Sequence, residues 1–165
     1  MKGMFRGPYY TWCSMSSDNK LVDHESAKEA LDFVQDIMVE DGPFDGIMGF
    51  SQGAALALAL LLRYATEHPL DPPYAICKFA IFFSCVGINE ERNQWDDGNL
   101  LSIPSLHVFD KADSMLATGT STVSCELGSA KLILHKRGHV IPRDNVTVNR
   151  IFDAIQGLQH RAMVF

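Results

Sequence analysis
The chain has 165 residues, 47% of them hydrophobic, and carries a formal net charge of −6. That combination suits one globular domain spanning residues 1–165 with a sizeable core. The acidic balance and the lack of a basic cluster argue against nucleic acid as a partner. The longest apolar run, Ala54 to Leu62, is far too short to span a bilayer, and the first residues lack the apolar core of a signal peptide, so neither a membrane partner nor secretion is expected. The four cysteines (Cys13, Cys77, Cys85 and Cys125) follow no C-x-x-C spacing and read as reduced thiols of a cytoplasmic protein.

Residues 1–24 hold Gly7-Pro8, the aromatics Tyr9, Tyr10 and Trp12, and a serine-rich patch, and read as an irregular segment. Ser26-Ala27-Lys28-Glu29 has the spacing of a capping box. It predicts a helix with Ala30, Leu31, Val34, Ile37 and Met38 on its apolar stripe, ended by Gly42-Pro43. A strand over about 45–50 and a helix over about 52–66 follow. Phe79 to Ser84 is a continuous apolar run, the pattern of a strand buried on both faces. Residues 87–101, with Trp95, read as a surface loop. Strands are predicted at 106–109 and 131–135, with a short helix at 118–128 between them. The closing helix, 145–161, would bury Val148, Ile151, Phe152, Ile155 and Leu158. Strands alternating with helices give the α/β class, with a mostly parallel sheet of about four strands.

Between the first strand and its helix stands Gly49-Phe50-Ser51-Gln52-Gly53. Gly-x-Ser-x-Gly at a strand-to-helix turn is the nucleophile elbow of α/β hydrolases. A sharp turn lifts the serine hydroxyl above the sheet and aims the next backbone N–H, that of Gln52, at the reacting oxygen. Both flanking positions are expected to need glycine, because a Cβ there would strike neighbouring backbone. A serine hydroxyl also needs an imidazole as base and a carboxylate to orient it, in the chain order Ser, acid, His. His139, after the 131–135 strand and beside Gly138, is the best placed base; His68, His107, His135 and His160 lie in less suitable settings. For the acid, Asp113 in the loop after the 106–109 strand is preferred, and Asp110, directly after that strand, competes. Glu90-Glu91 and Asp96-Asp97 read as solvated loop charge, and neither a metal nor another cofactor is expected.

These blocks, together with Phe79 to Ser84, Ile103 to Val108 and Gly138-His139-Val140-Ile141-Pro142, resemble a fungal and animal serine hydrolase family. That family includes the ovarian-cancer-associated hydrolase and polyketide-releasing thioesterases of fungal biosynthetic clusters. The resemblance covers residues 40–160. It implies an α/β-hydrolase fold, a nucleophile at Ser51, an acid at Asp113, a base at His139, and small-molecule ester or thioester substrates. Phe50, Tyr9, Tyr10 and Trp12 are the candidates for lining the acyl pocket. The chain departs from the family pattern in carrying Asp110 where glycine is usual. It also starts after the family's leading strand, His-Gly loop, helix and second strand, which normally supply a second oxyanion donor. A shortened sheet would leave strand 45–50 with an open apolar edge, expected to pair across a homodimer or to be covered by residues 1–24. Two further functions are compatible with such a chain. One is a hydrolase scaffold turned to cyclisation, isomerisation or dehydration of a polyketide-like intermediate. The other is an inactive binding or dimerisation module.

Overall fold
The computed structural model describes residues 10–14, 23–85, 101, 103–115 and 130–163. The expected helix at 118–128, the loop around Trp95, and Tyr9 and Cys125 lie outside those residues.

The first helix, α1 (His24–Glu40), starts earlier than the capping box implies. Asp23 is the N-cap, its carboxylate accepting from the N–H groups of Glu25 and Ser26. Ser26 sits inside the first turn and donates to the Asp23 carbonyl instead. A carboxylate at the N-cap satisfies two orphan amides and also meets the positive end of the helix dipole, so it wins over the later serine. Ala27, Ala30, Leu31 and Met38 are buried along the expected stripe. The helix ends at Glu40 with Asp41 as its C-cap, and a Cβ on the following Gly42 would come 2.5 Å from the Met38 carbonyl oxygen.

Strand β1 (Gly46–Phe50) runs into α2 (Gln52–Glu67), followed by β2 (Phe79–Phe83), β3 (Ser105–Asp110), β4 (Ala130–His135) and α3 (Asn145–Ala162). The four strands are all parallel, in the order β1-β2-β3-β4. Side chains alternate across a strand, and β2 uses both faces. Phe79, Ile81 and Phe83 pack with Leu106, Val108, Ile133 and α3; Ala80 and Phe82 join α1 and α2 on the opposite face. The result is a sheet between two helical layers, the α/β architecture expected. Buried Arg63 ties those two helices together, donating from α2 to Asp32 and Gln35 of α1.

The closing helix is turned from its expected face. Thr147, Ile151, Ala154, Leu158 and Ala162 are buried, while Val148 and Phe152 face outward, Phe152 at 58% exposure. Alanines at the contact let the helix axis approach the sheet more closely than a row of large side chains would. Two histidine and cysteine side chains lie deep in this core. Burial pushes the His107 imidazole down to about 4 and the Cys77 thiol up to about 12. Cys13, Cys77 and Cys85 are buried. Among the described residues, no helix is long and apolar enough to cross a membrane.

Among the described strands β1 pairs with β2 alone, and Met48 at its middle is 67% exposed. Thr11, Trp12 and Cys13, in the segment expected to cover this edge, bond to Gln52 just past the strand's carboxyl end.

Candidate active site
In a parallel sheet, the loops after the strands' carboxyl ends share one rim, and this one collects the three expected side chains. Ser51 follows β1 directly. Its φ of 54° and ψ of −120° lie outside the regions open to ordinary L-residues, which is the strained turn the motif requires. The turn is held from two sides. The Ser51 N–H donates to the Phe83 carbonyl at 2.9 Å, and the Ser51 carbonyl accepts from Ala54 and Ala55, each at 3.1 Å. Those two bonds begin the α2 ladder. The amides of Gln52 and Gly53 precede it, at the positive end of the helix.

The two glycines of the elbow are not equivalent. A Cβ on Gly49 would fall 2.5 Å from the Ala54 nitrogen and Cα and from the Gly53 carbonyl oxygen, all backbone. A Cβ on Gly53 meets nothing nearer than the Trp12 indole nitrogen at 3.4 Å. The expectation that both positions demand glycine therefore holds for Gly49 and fails for Gly53, whose Cβ direction points away from the packed strand.

His139 reaches the rim from the loop after β4. Its Nε2 lies 2.8 Å from Ser51 Oγ and its Nδ1 lies 2.7 Å from Asp113 Oδ2. A carboxylate can only accept, so Nδ1 carries the proton and Nε2 is free to accept from the serine hydroxyl. The Asp113 side chain is 1% exposed and that of His139 18%. The other Asp113 oxygen accepts from the Met115 N–H at 2.9 Å, which fixes the carboxylate plane. Phe50 packs against the imidazole, with ring centroids 5.1 Å apart. Residues separated by 88 positions thus form one continuous hydrogen-bonded line.

Asp110 does not contact His139 Nδ1; that place belongs to Asp113. Its carboxylate is bonded instead to two backbone amides, Ala112 through Oδ1 at 2.9 Å and Gly138 through Oδ2 at 2.7 Å. Both bonds hold the carboxyl below the usual carboxylate range.

Of the aromatic pocket candidates, Tyr10 is 91% exposed and encloses nothing, whereas Trp12 lies against the start of α2 at Gly53. One contact escaped sequence reasoning. Gln52 was expected to act through its backbone alone, yet its side-chain amide docks residues 11–13. Oε1 accepts from the Thr11 hydroxyl at 2.8 Å and the Trp12 N–H at 2.9 Å, and Nε2 donates to the Cys13 carbonyl at 3.0 Å. Only the identity of glutamine beside the serine hinted at it, since an amide can donate and accept toward a passing backbone.

Comparison with known proteins agrees with this geometry. Residues 2–151 match the family model described as Serine hydrolase (FSH1). Esterase FPY3 of Fusarium mangiferae is 33% identical over 156 residues, covering 84% of this chain and 69% of that protein. Hydrolase phiM of Talaromyces stipitatus is 28% identical, covering 94% and 67%, and esterase OVCA2 of Bos taurus is 39% identical, covering 70% and 50%. The chain therefore spans half to about seven tenths of the length of these relatives. In fold it is similar to a carboxylesterase from Mesorhizobium loti, with a TM-score of 0.64, 15% identity, and coverage of 92% of this chain and 72% of that one. The strained serine, the parallel sheet beneath it and the match over residues 2–151 lead to one conclusion: the chain belongs to the FSH1 family of serine hydrolases.

Proposed function
We propose that the chain hydrolyses carboxylic esters of a small acyl substrate through an acyl-enzyme at Ser51. The reading rests above all on the unbroken line Ser51 Oγ, His139, Asp113, with spacings of 2.8 and 2.7 Å. His139 Nε2 takes the hydroxyl proton as Oγ attacks the acyl carbon. The Gln52 N–H faces the oxyanion that forms. The imidazolium, stabilised by Asp113, then returns the proton to the departing alkoxide and the alcohol leaves. Water, deprotonated by the same nitrogen, attacks the acyl-enzyme and regenerates Ser51. One preorganised backbone donor is worth about 10²–10³ in turnover, so the Gln52 amide is a major contributor. Thioesters are the extension of the same chemistry. Their place here, like a role in fungal secondary metabolism, is supported by the sequence resemblance to polyketide-releasing enzymes.

The test is turnover of a p-nitrophenyl acyl ester series by wild type and Ser51→Ala. A pre-steady-state burst in the wild type, lost in the variant, is expected. Turnover retained by Ser51→Ala would overturn acyl-enzyme chemistry and favour the scaffold as a proton-transfer catalyst of cyclisation or dehydration. A chain inert toward every ester and thioester would favour the binding module.

Pairing of two copies through β1 is proposed on the same terms, supported by β1 pairing with β2 alone among the described strands and by the exposed Met48. Light scattering at the mass of one chain would refute it. A cytoplasmic location is proposed from the cysteine spacing of the sequence, which follows no C-x-x-C pattern.

A further inference from the structure
Asp110 is buried, bears a charge, and has no part in the proton relay. It ends β3 and lies opposite His135, which ends β4. The two loops that leave these strands carry the acid and the base. Within its own loop, the Asp110 carboxylate accepts from Ala112 N–H and the Asp110 carbonyl accepts from Asp113 N–H at 3.1 Å. Its second oxygen crosses to the other loop and accepts from Gly138 N–H at 2.7 Å. Gly138 precedes His139 and has a φ of +70°, a conformation natural to glycine, and it turns its amide toward the carboxylate.

We infer that Asp110 is a positioning residue whose carboxylate bridges the acid loop to the base loop and sets the Asp113–His139 spacing. The inference rests on the acyl-enzyme reading above. Two oxygens with two backbone donors, one in each loop, form a connection that asparagine cannot reproduce: one of its terminal atoms is itself a donor and would face an N–H. A charged acceptor also makes the shorter and stronger bond, as the 2.7 Å contact to Gly138 indicates. The carboxylate stays ionised because the Ala112 and Gly138 amides favour its charge, and His135 and Lys136 add to this. On the described parts of the two loops the other ionisable side chains are Lys111, Asp113, Arg137, His139, Arg143 and Asp144.

The experiment compares wild type, Asp110→Asn and Ser51→Ala. Its readouts are fluorophosphonate labelling rate, kcat and KM for a p-nitrophenyl ester, and thermal melting. Displacement of the imidazole by a fraction of an ångström is expected to slow labelling and lower kcat by about 10- to 100-fold with KM little changed. A merely structural role would lower the melting temperature and leave the labelling rate and kcat of the folded protein in place, and would overturn the inference. A wild-type measurement covers the case of a variant that does not fold. The Gly138 amide proton should exchange slowly and shift on acid titration below the usual carboxylate range. Fast exchange with no such titration would overturn the bridge. If Asp110→Asn keeps wild-type kinetics while Ser51→Ala is dead, the bridge falls and the acyl-enzyme stands. If Ser51→Ala still labels, the acyl-enzyme falls, and the Gly138 titration decides the bridge by itself.

Discussion

The asymmetry of the two elbow glycines gives a sharp prediction. In Gly49→Ala the new methyl starts 2.5 Å from three backbone atoms of residues 53 and 54, whereas ordinary van der Waals contact begins at 3.4 Å. The difference, 3.4 − 2.5 = 0.9 Å, must be absorbed by separating the end of β1 from the first turn of α2. Ser51 lies between these two elements, and its carbonyl accepts from Ala54, one of the atoms pushed. A displacement of this size at a reacting group costs about 10² in rate. Gly53→Ala begins at 3.4 Å from a side-chain atom, so nothing has to move. In a helical position it also replaces the most flexible residue by the best helix former, worth up to about 1 kcal/mol. Stopped-flow labelling with a fluorophosphonate, paired with thermal melts, tests both variants. Gly49→Ala should label about 100-fold more slowly and melt lower. Gly53→Ala should label within a few-fold of wild type and melt no lower. Equal losses in the two variants, or a fully active Gly49→Ala, would refute the steric reasoning.

Two further outcomes follow from buried and bridging groups. His107 is held neutral, its pKa down to about 4 against an ordinary 6.5. Between those values the unfolded chain binds a proton that the native chain refuses, so stability falls as pH drops from 6.5 toward 4. At 1.36 kcal/mol per pH unit the loss reaches about 3 kcal/mol. Urea unfolding at pH 7, 5 and 4 should show this decline in wild type and a shallower one in His107→Leu; parallel declines would contradict it. Gln52→Leu keeps the backbone N–H but loses the bonds to Thr11, Trp12 and Cys13. At about 1 kcal/mol for each neutral bond, segment 10–14 should detach. Tryptophan emission should shift to the red; unchanged emission would contradict the tether.

Much of this molecule was legible in its residues, and the parts that were not share a cause. The described strands and helices lie within a few residues of their expected bounds, because apolar runs and helical apolar patterns are local records of burial. Gly-x-Ser-x-Gly announced a backbone geometry, and Ser51 at φ 54° has it. Preference for Asp113 over Asp110 came from loop position, yet both aspartates turn out to be engaged, one on an imidazole and one on two amides. Bonds from a side chain to a distant backbone leave no periodic trace, since any residue type can supply the N–H. The Gln52 tether and the Asp110 bridge are both of that kind. The turned face of α3 has a different origin. Ala154 and Ala162 carry too little apolar weight to mark a stripe, yet their small size is what lets them face the sheet. Val148 and Phe152 drew the eye as large apolar residues, although folded surfaces expose many such atoms.

The most direct measurement of the central claim is the mass of the protein after brief exposure to a fluorophosphonate, with the adduct mapped by peptide sequencing in wild type, Ser51→Ala and His139→Ala. A single adduct on Ser51 is expected in wild type, none in Ser51→Ala, and labelling slowed by at least about 10²-fold in His139→Ala, the low end of what a general base contributes. An adduct on another residue, or equal labelling with and without the imidazole, would contradict the account.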